Sequence, residues 1–300
     1  MRVPFDKPNR ESVISVKQLQ QEQYGRILAQ PKQFIGYPVI LVIMAVLQVL
    51  TVVFGSRGFL FFGFDITAGW LILMPIVFFL FQIVAECYGW QYARQIVWLN
   101  FIVNVTMLII MYCFAYLPVN GNTHFDTQNA YLQLFSDRWI SAATMLGSMF
   151  LADYISSALM CWSKFHWRGR FLIIRILILH CVGEIIINAG GFIIEPFHGY
   201  SFSESLRFAL DSFYARSIIM ICLLPLVSMV IWWIQNRLEG VVVFDLNIKF
   251  APFKFKINPD ESVQFAADGW HKLESKTIDP KDLAAHYNQE IIEKQFSKKL

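Results

Sequence analysis

Long apolar runs separated by short polar breaks occupy most of this chain, and they set the first expectations. Six runs are long enough for a helix that crosses a bilayer: 35–54, 66–86, 96–118, 139–162, 171–194 and 213–236. A hydrocarbon core of about 30 Å needs about 20 helical residues. A glycine-bearing linker, 55–65, follows the first run, and the longest break is 119–138. After Gly240 the pattern changes. In "VVVFDLNIKF" the residues Val242, Phe244, Leu246, Ile248 and Phe250 alternate with Asp245, Asn247 and Lys249. A period of two predicts a strand. Phe253, Phe255 and Ile257 resume it after Ala251-Pro252, as a second strand or the continuation of a bent one. Partial periodicity at Leu283, Tyr287, Ile291 and Phe296 predicts a helix over 281–298. The expected architecture is an all-α membrane bundle of six helices over 35–238. It lies between an amino-terminal tail, 1–34, and a carboxy-terminal tail, 239–300, with strand and helix.

Composition agrees. Of 300 residues, 56% are hydrophobic and only 16% charged, against about a quarter charged in soluble domains. No apolar leader with a cleavage site is seen, so the first run is expected to be a permanent span. The net charge of +3 is too small to suggest nucleic acid. The five cysteines are scattered through the apolar runs without a CxxC pair, as buried thiols would be.

The distribution of Lys and Arg gives an orientation. Arg2, Lys7, Arg10, Lys17, Arg26 and Lys32 precede the first run; Arg94, then Lys164, Arg168 and Arg170, then Arg237 fall on the same side. The other side holds only Arg57, Arg138 and Arg207. Cytoplasmic loops are enriched in such residues, so both termini are expected in the cytoplasm. An even number of spans requires the termini to share a side.

Ionisable residues within the spans cost free energy and mark candidate sites. In "RILILHCVGEIIINAGG" the residues His180, Glu184 and Asn188 recur every four positions and so share one helical stripe. Two readings are open: the polar wall of a substrate cavity, or an interhelical hydrogen-bond ladder. Gln82 and Glu86 repeat the spacing near the end of the second run and are expected at the inner rim of that cavity, with Gly89 turning the chain and Arg94 facing the cytoplasm. Asp153 lines the cavity or pairs with a cation. Arg216 contributes to the site or pairs locally with Asp211. Arg175 is expected to snorkel to lipid phosphates. Pro75 and Pro225 sit inside spans, where a proline frees a backbone carbonyl. No HExxH, GxSxG or Walker A motif is present. A metal bound by His180 and Glu184 would lack an evident third ligand.

The stretch "GFDITAGWLILMPIVFFLFQIVAECYGWQYARQIVW", 63–98, resembles the signature of the queuosine precursor transporters, the vitamin-uptake-transporter-like family. The resemblance lies in Thr67, Gly69, Pro75, Gln82, Glu86, Tyr88, Gly89, Ala93 and Arg94. A second block, 170–192, is similar to that family's penultimate helix, and Arg216 with Pro225 to its last; together they cover 35–238. The resemblance implies a bundle like the substrate-binding components of energy-coupling-factor transporters. It also implies uptake of 7-cyano- or 7-aminomethyl-7-deazaguanine across a bacterial inner membrane. The chain departs from the family pattern at Gln82, where an Asp is usual, and in the fifth helix, where the family has an amide then an Asp and this chain has Glu184 and then Ile187, with Asn188 next to it. Ser157 and Met160 stand near a usual Gln and Asp. These departures bear on the substrate more than on the fold.

A flat base would stack on aromatic side chains and hydrogen-bond to Glu184, Asn188, Gln82 and Glu86. No cofactor is implied, and the chain carries no ATP-binding motif of its own. Two other functions are compatible with the sequence. One is a membrane scaffold whose tail pairs with a second copy of the chain; the other is an intramembrane metal-dependent enzyme.

Overall fold

A computed structural model describes residues 34–54, 58–61, 64–67, 69–117, 139–167, 169–194, 199, 201–245 and 262–266. The expected tail 1–33, the long break 119–138, the strand at 253–257 and the helix at 281–298 lie outside them.

Six long helices occupy the six apolar runs. They are α1 (Gly36–Phe54), α2 (Met74–Tyr88), α3 (Trp90–Ala115), α4 (Trp139–His166), α5 (Leu172–Ile194) and α6 (Phe202–Trp233). Five have the length and composition to cross a membrane; the apolar part of the first, Gly36–Thr51, is shorter. The residues exposed on the outside of the bundle are largely apolar, among them Ile102, Ile109 and Ile110 on α3 and Ile218, Ile221 and Met229 on α6. Such surface is costly in water and suited to lipid.

Helix α2 is the axis of the bundle. Thirteen of its fifteen residues are buried, which requires an apolar surface on every side. A π-helical turn, Gly69–Leu73, leads into it. Pro75 follows that turn and lies inside the membrane-capable stretch Leu71–Tyr88. Pro225 lies inside α6. Helix α6 begins eleven residues before the apolar run that predicted it, because Ser201 and Glu204 form a capping box. The Ser201 N–H donates to Glu204 at 2.8 Å.

Two hairpins accompany the helices. The linker after α1 contains antiparallel strands β1 (Gly58–Phe61) and β2 (Phe64–Thr67), which the linker's glycines did not suggest. The alternating segment after Gly240 forms β3 (Val241–Asp245), as expected. Its antiparallel partner is β4 (Ser262–Ala266). All five residues of β3 are buried.

The amino end of α1, the α2–α3 turn, the α4–α5 turn and β3 meet at one end of the bundle, here called the near end. Gly89 makes the α2–α3 turn at φ +84°. A Cβ there would stand 3.0 Å from the Asp245 carboxylate, so both the backbone angle and the close approach call for glycine.

Candidate functional site

Among the buried polar residues, two paired clusters and one unpaired group include the residues predicted for the site. The first cluster lies at the near end. Glu86 is buried and faces Arg175, whose terminal nitrogens donate to the two carboxylate oxygens at 2.8 and 3.1 Å. Lys164 Nζ stands 3.6 Å from the same carboxylate and also donates to the Glu86 backbone carbonyl. Arg175 reaches on to the carbonyls of Gly169 and Arg170 in the α4–α5 turn. Glu86 therefore joins α2, α4 and α5 through two cations. Arg175 is buried and does not reach toward lipid phosphates, because a carboxylate within reach satisfies it better. Arg94 does not face solvent either: it is buried with its guanidinium 5.8 Å from the Trp90 ring centroid.

The same end is closed by residues that follow the last helix. Glu239 accepts the N–H of Gly36 at 2.7 Å, at the start of α1. The Tyr88 hydroxyl donates to the same carboxylate at 3.4 Å. Asp245 accepts the N–H of Trp90 at 2.9 Å, at the start of α3. Two acidic side chains thus satisfy donors at two helix amino termini, where partial positive charge collects. Phe244 lies under the Lys164 ammonium, 4.8 Å from ring centroid to nitrogen.

The second cluster lies on the predicted stripe of α5. Glu184 and Arg216 are both buried, with Arg216 Nη2 2.7 Å from Glu184 Oε2. Arg216 also donates to Asn188 at 3.4 Å. Arg216 is therefore not paired with Asp211, which stands 3.9 Å from Arg207. One turn nearer the near end, His180 lies 3.3 Å from the Ser217 hydroxyl. Its ring is parallel to Phe213 at 6.3 Å and edge-on to Phe78 at 5.9 Å. Phe78 packs so closely on α5 that a Cβ at Gly183 would stand 2.7 Å from its ring. Arg175 and Glu184 are nine residues apart on α5, so the clusters are separated by about 14 Å along it.

The third group has no hydrogen-bond partner among the described residues. Both amide atoms of Gln82 are buried without a hydrogen bond, as is Ser157 Oγ. Asp153 is 4% exposed, and the described contacts include no hydrogen bond or ion pair to it.

Of the seven residues predicted for the site, Glu184, Asn188, Arg216 and His180 lie together. Glu86 stands apart in the near-end cluster, and Gln82 and Asp153 belong to the unpaired group. Lys164, Ser217, Glu239 and Asp245 were not anticipated. Lys164 had a usable signal: a lone carboxylate at Glu86 demands a cation, and Lys164 ends an apolar run on the same side. Among the described residues no group of three metal-ligating side chains occurs.

This arrangement is that of a multi-pass membrane protein with charged pairs sealed inside it. Comparison with curated proteins and with solved structures returns no match. A family profile described as "putative vitamin uptake transporter" matches residues 67–230, more than half of the chain, and the chain belongs to that family.

Proposed function

We propose that this protein is a carrier that takes up a small planar heterocycle across a bacterial inner membrane. The substrate of this reading is a queuosine precursor, 7-cyano- or 7-aminomethyl-7-deazaguanine, or a related base. The near end, with both chain termini, faces the cytoplasm. Residues 35–238 form the transport domain, and the tails 1–34 and 239–300 flank it.

Membership of the uptake-transporter family carries this reading. The stripe of buried His180 and Glu184 and half-buried Asn188 supports it, because polar groups held inside the bundle are costly unless they serve a pathway. His180 adds a flat ring beside Phe78 and Phe213, a surface suited to a planar base. Arg216 holds Glu184 while the site is empty, and the incoming base competes for that carboxylate. Gln82, Asp153 and Glu86 complete the polar lining. Binding near mid-membrane between helices is the general geometry of secondary carriers.

Uptake of labelled 7-cyano-7-deazaguanine in a strain lacking its own carrier tests the reading. Uptake that depends on this protein supports it. Its absence favours a membrane scaffold, whose ion pairs would serve only to hold helices together. Glu184→Gln lowers uptake if the stripe contacts substrate; unchanged uptake removes Glu184 from the site.

A further inference from the structure

The unpaired side chains Gln82, Ser157 and Asp153 lie on two adjacent helices, and helical geometry sets their common direction. On α4, Ser156 faces α5, where its hydroxyl donates to the Leu179 carbonyl at 3.5 Å. Cys161 faces α2, where its thiol donates to the Ala85 carbonyl at 3.4 Å. Residues turn by about 100° each, so Lys164, Ser157 and Asp153 all fall between those two directions. Lys164 confirms the sector, since it meets Glu86 there. On α2, Gln82 lies between Phe78 and Glu86 at four-residue spacing. Phe78 packs against Gly183 of α5, and Glu86 meets Arg175 of α5. Gln82 therefore points into the same wedge between α2, α4 and α5.

Every charged group that bounds this wedge is already engaged. Glu86 holds Arg175 and Lys164 at its near end. Glu184 holds Arg216 on its other side. What remains is a carboxylate, a primary amide and a hydroxyl, all at least nine-tenths buried. Buried polar groups are nearly always hydrogen-bonded, and three in one wedge without partners is an exception that needs a cause.

We propose that Gln82, Ser157 and Asp153 form the hydrogen-bonding subsite for the transported molecule, with the Phe78 ring at its edge. Asp153 accepts from N–H donors; Gln82 offers one acceptor and two donors; Ser157 offers one of each. The matching ligand is a planar heterocycle, neutral or cationic, with adjacent N–H groups along one edge. The ligand class rests on the uptake reading above, whereas the position of the subsite rests on the wedge alone. Asp153 then reads one edge of the base, beside the Glu184 carboxylate for which the base competes with Arg216.

Two measurements on the full chain in nanodiscs test this separately. The first is direct binding of 7-aminomethyl- and 7-cyano-7-deazaguanine to the wild type, Asp153→Asn and Gln82→Ala. At least a tenfold loss of affinity is expected in each variant. Binding by the wild type that both variants retain unchanged overturns the subsite and leaves the uptake reading intact. The second is labelling by a small methanethiosulfonate in a background with the five cysteines replaced. Ser157→Cys is expected to react, and Ala158→Cys, which points away from the wedge, is expected not to react. Failure of Ser157→Cys to react in folded protein shows a sealed seam and overturns the subsite whatever the substrate. Labelling without binding of either base supports the subsite and overturns the proposed substrate.

Discussion

Arg175 grips Glu86 with both terminal nitrogens, at 2.8 and 3.1 Å, between two helices and out of reach of solvent. Lys164 leans on the same carboxylate from a third helix. One carboxylate answering two cations means that the loss of Glu86 strands two charges, while the loss of either cation leaves the other in place.

Glu86→Gln should therefore destabilise the bundle more than Lys164→Met. Breaking a buried pair by removing one partner costs about 3–5 kcal/mol. Glu86→Gln combined with Arg175→Met should recover part of that loss, because no unpaired guanidinium remains. Thermal unfolding of the wild type, Glu86→Gln, Arg175→Met and the double variant in one detergent gives the cycle, with Lys164→Met measured beside them. Strictly additive losses would show that the pair is not coupled.

The Glu184–Arg216 pair behaves as a simple exchange. Either single reversal, Glu184→Arg or Arg216→Glu, should lower the yield of monodisperse protein. The double reversal should restore much of it, since the 2.7 Å contact can form in either direction. Size-exclusion profiles of detergent extracts read the result, and a double reversal no better than the singles would contradict it.

Gly89→Ala meets two obstacles at once. Its φ of +84° with ψ of 178° lies in a region essentially confined to glycine, where a Cβ costs about 1–3 kcal/mol. The new methyl would also press on the Asp245 carboxylate at 3.0 Å. Asp245→Ala should relieve the second cost and leave the first. Gly89→Ala in an Asp245→Ala background is therefore expected to cost less than in the wild type, as read by the thermal midpoint.

Glu239→Ala removes the acceptor of the Gly36 N–H and a partner of the Tyr88 hydroxyl. A lost cap of this kind costs about 0.5–2 kcal/mol. Hydrogen exchange should rise at the first turn of α1 and leave the centre of α5 unchanged. Equal exchange in both proteins at Ile35 and Gly36 would show that the contact does not protect them.

Hydropathy located the helices because each must present an apolar surface to lipid or to its neighbours, and that demand is written locally. It also placed the stripe of His180, Glu184 and Asn188, since a four-residue spacing is a helical face. It could not assign partners. Arg216 is five residues from Asp211 and 32 from Glu184, yet the fold pairs it with Glu184. Positive-inside counting treated Arg94 and Lys164 as surface charges, but both are enclosed near the end where that rule places them. A charge near a helix end reads the same in sequence whether it meets water or a buried carboxylate. The period-two signal revealed β3 but not its destination, because burial of alternate and intervening residues alike depends on what covers each side.

The position of β3 sets an order on biosynthesis. The donors at the starts of α1 and α3 find their acceptors in Glu239 and Asp245, residues synthesised after every helix they complete. Helix α1 must then enter the membrane about two hundred residues before its cap exists, with water or lipid headgroups standing in at Gly36. Closure of this end therefore follows the synthesis of every span. A released chain that ended at Leu238 would keep all its spans and have an open end, and a protease that recognises such ends would meet it first.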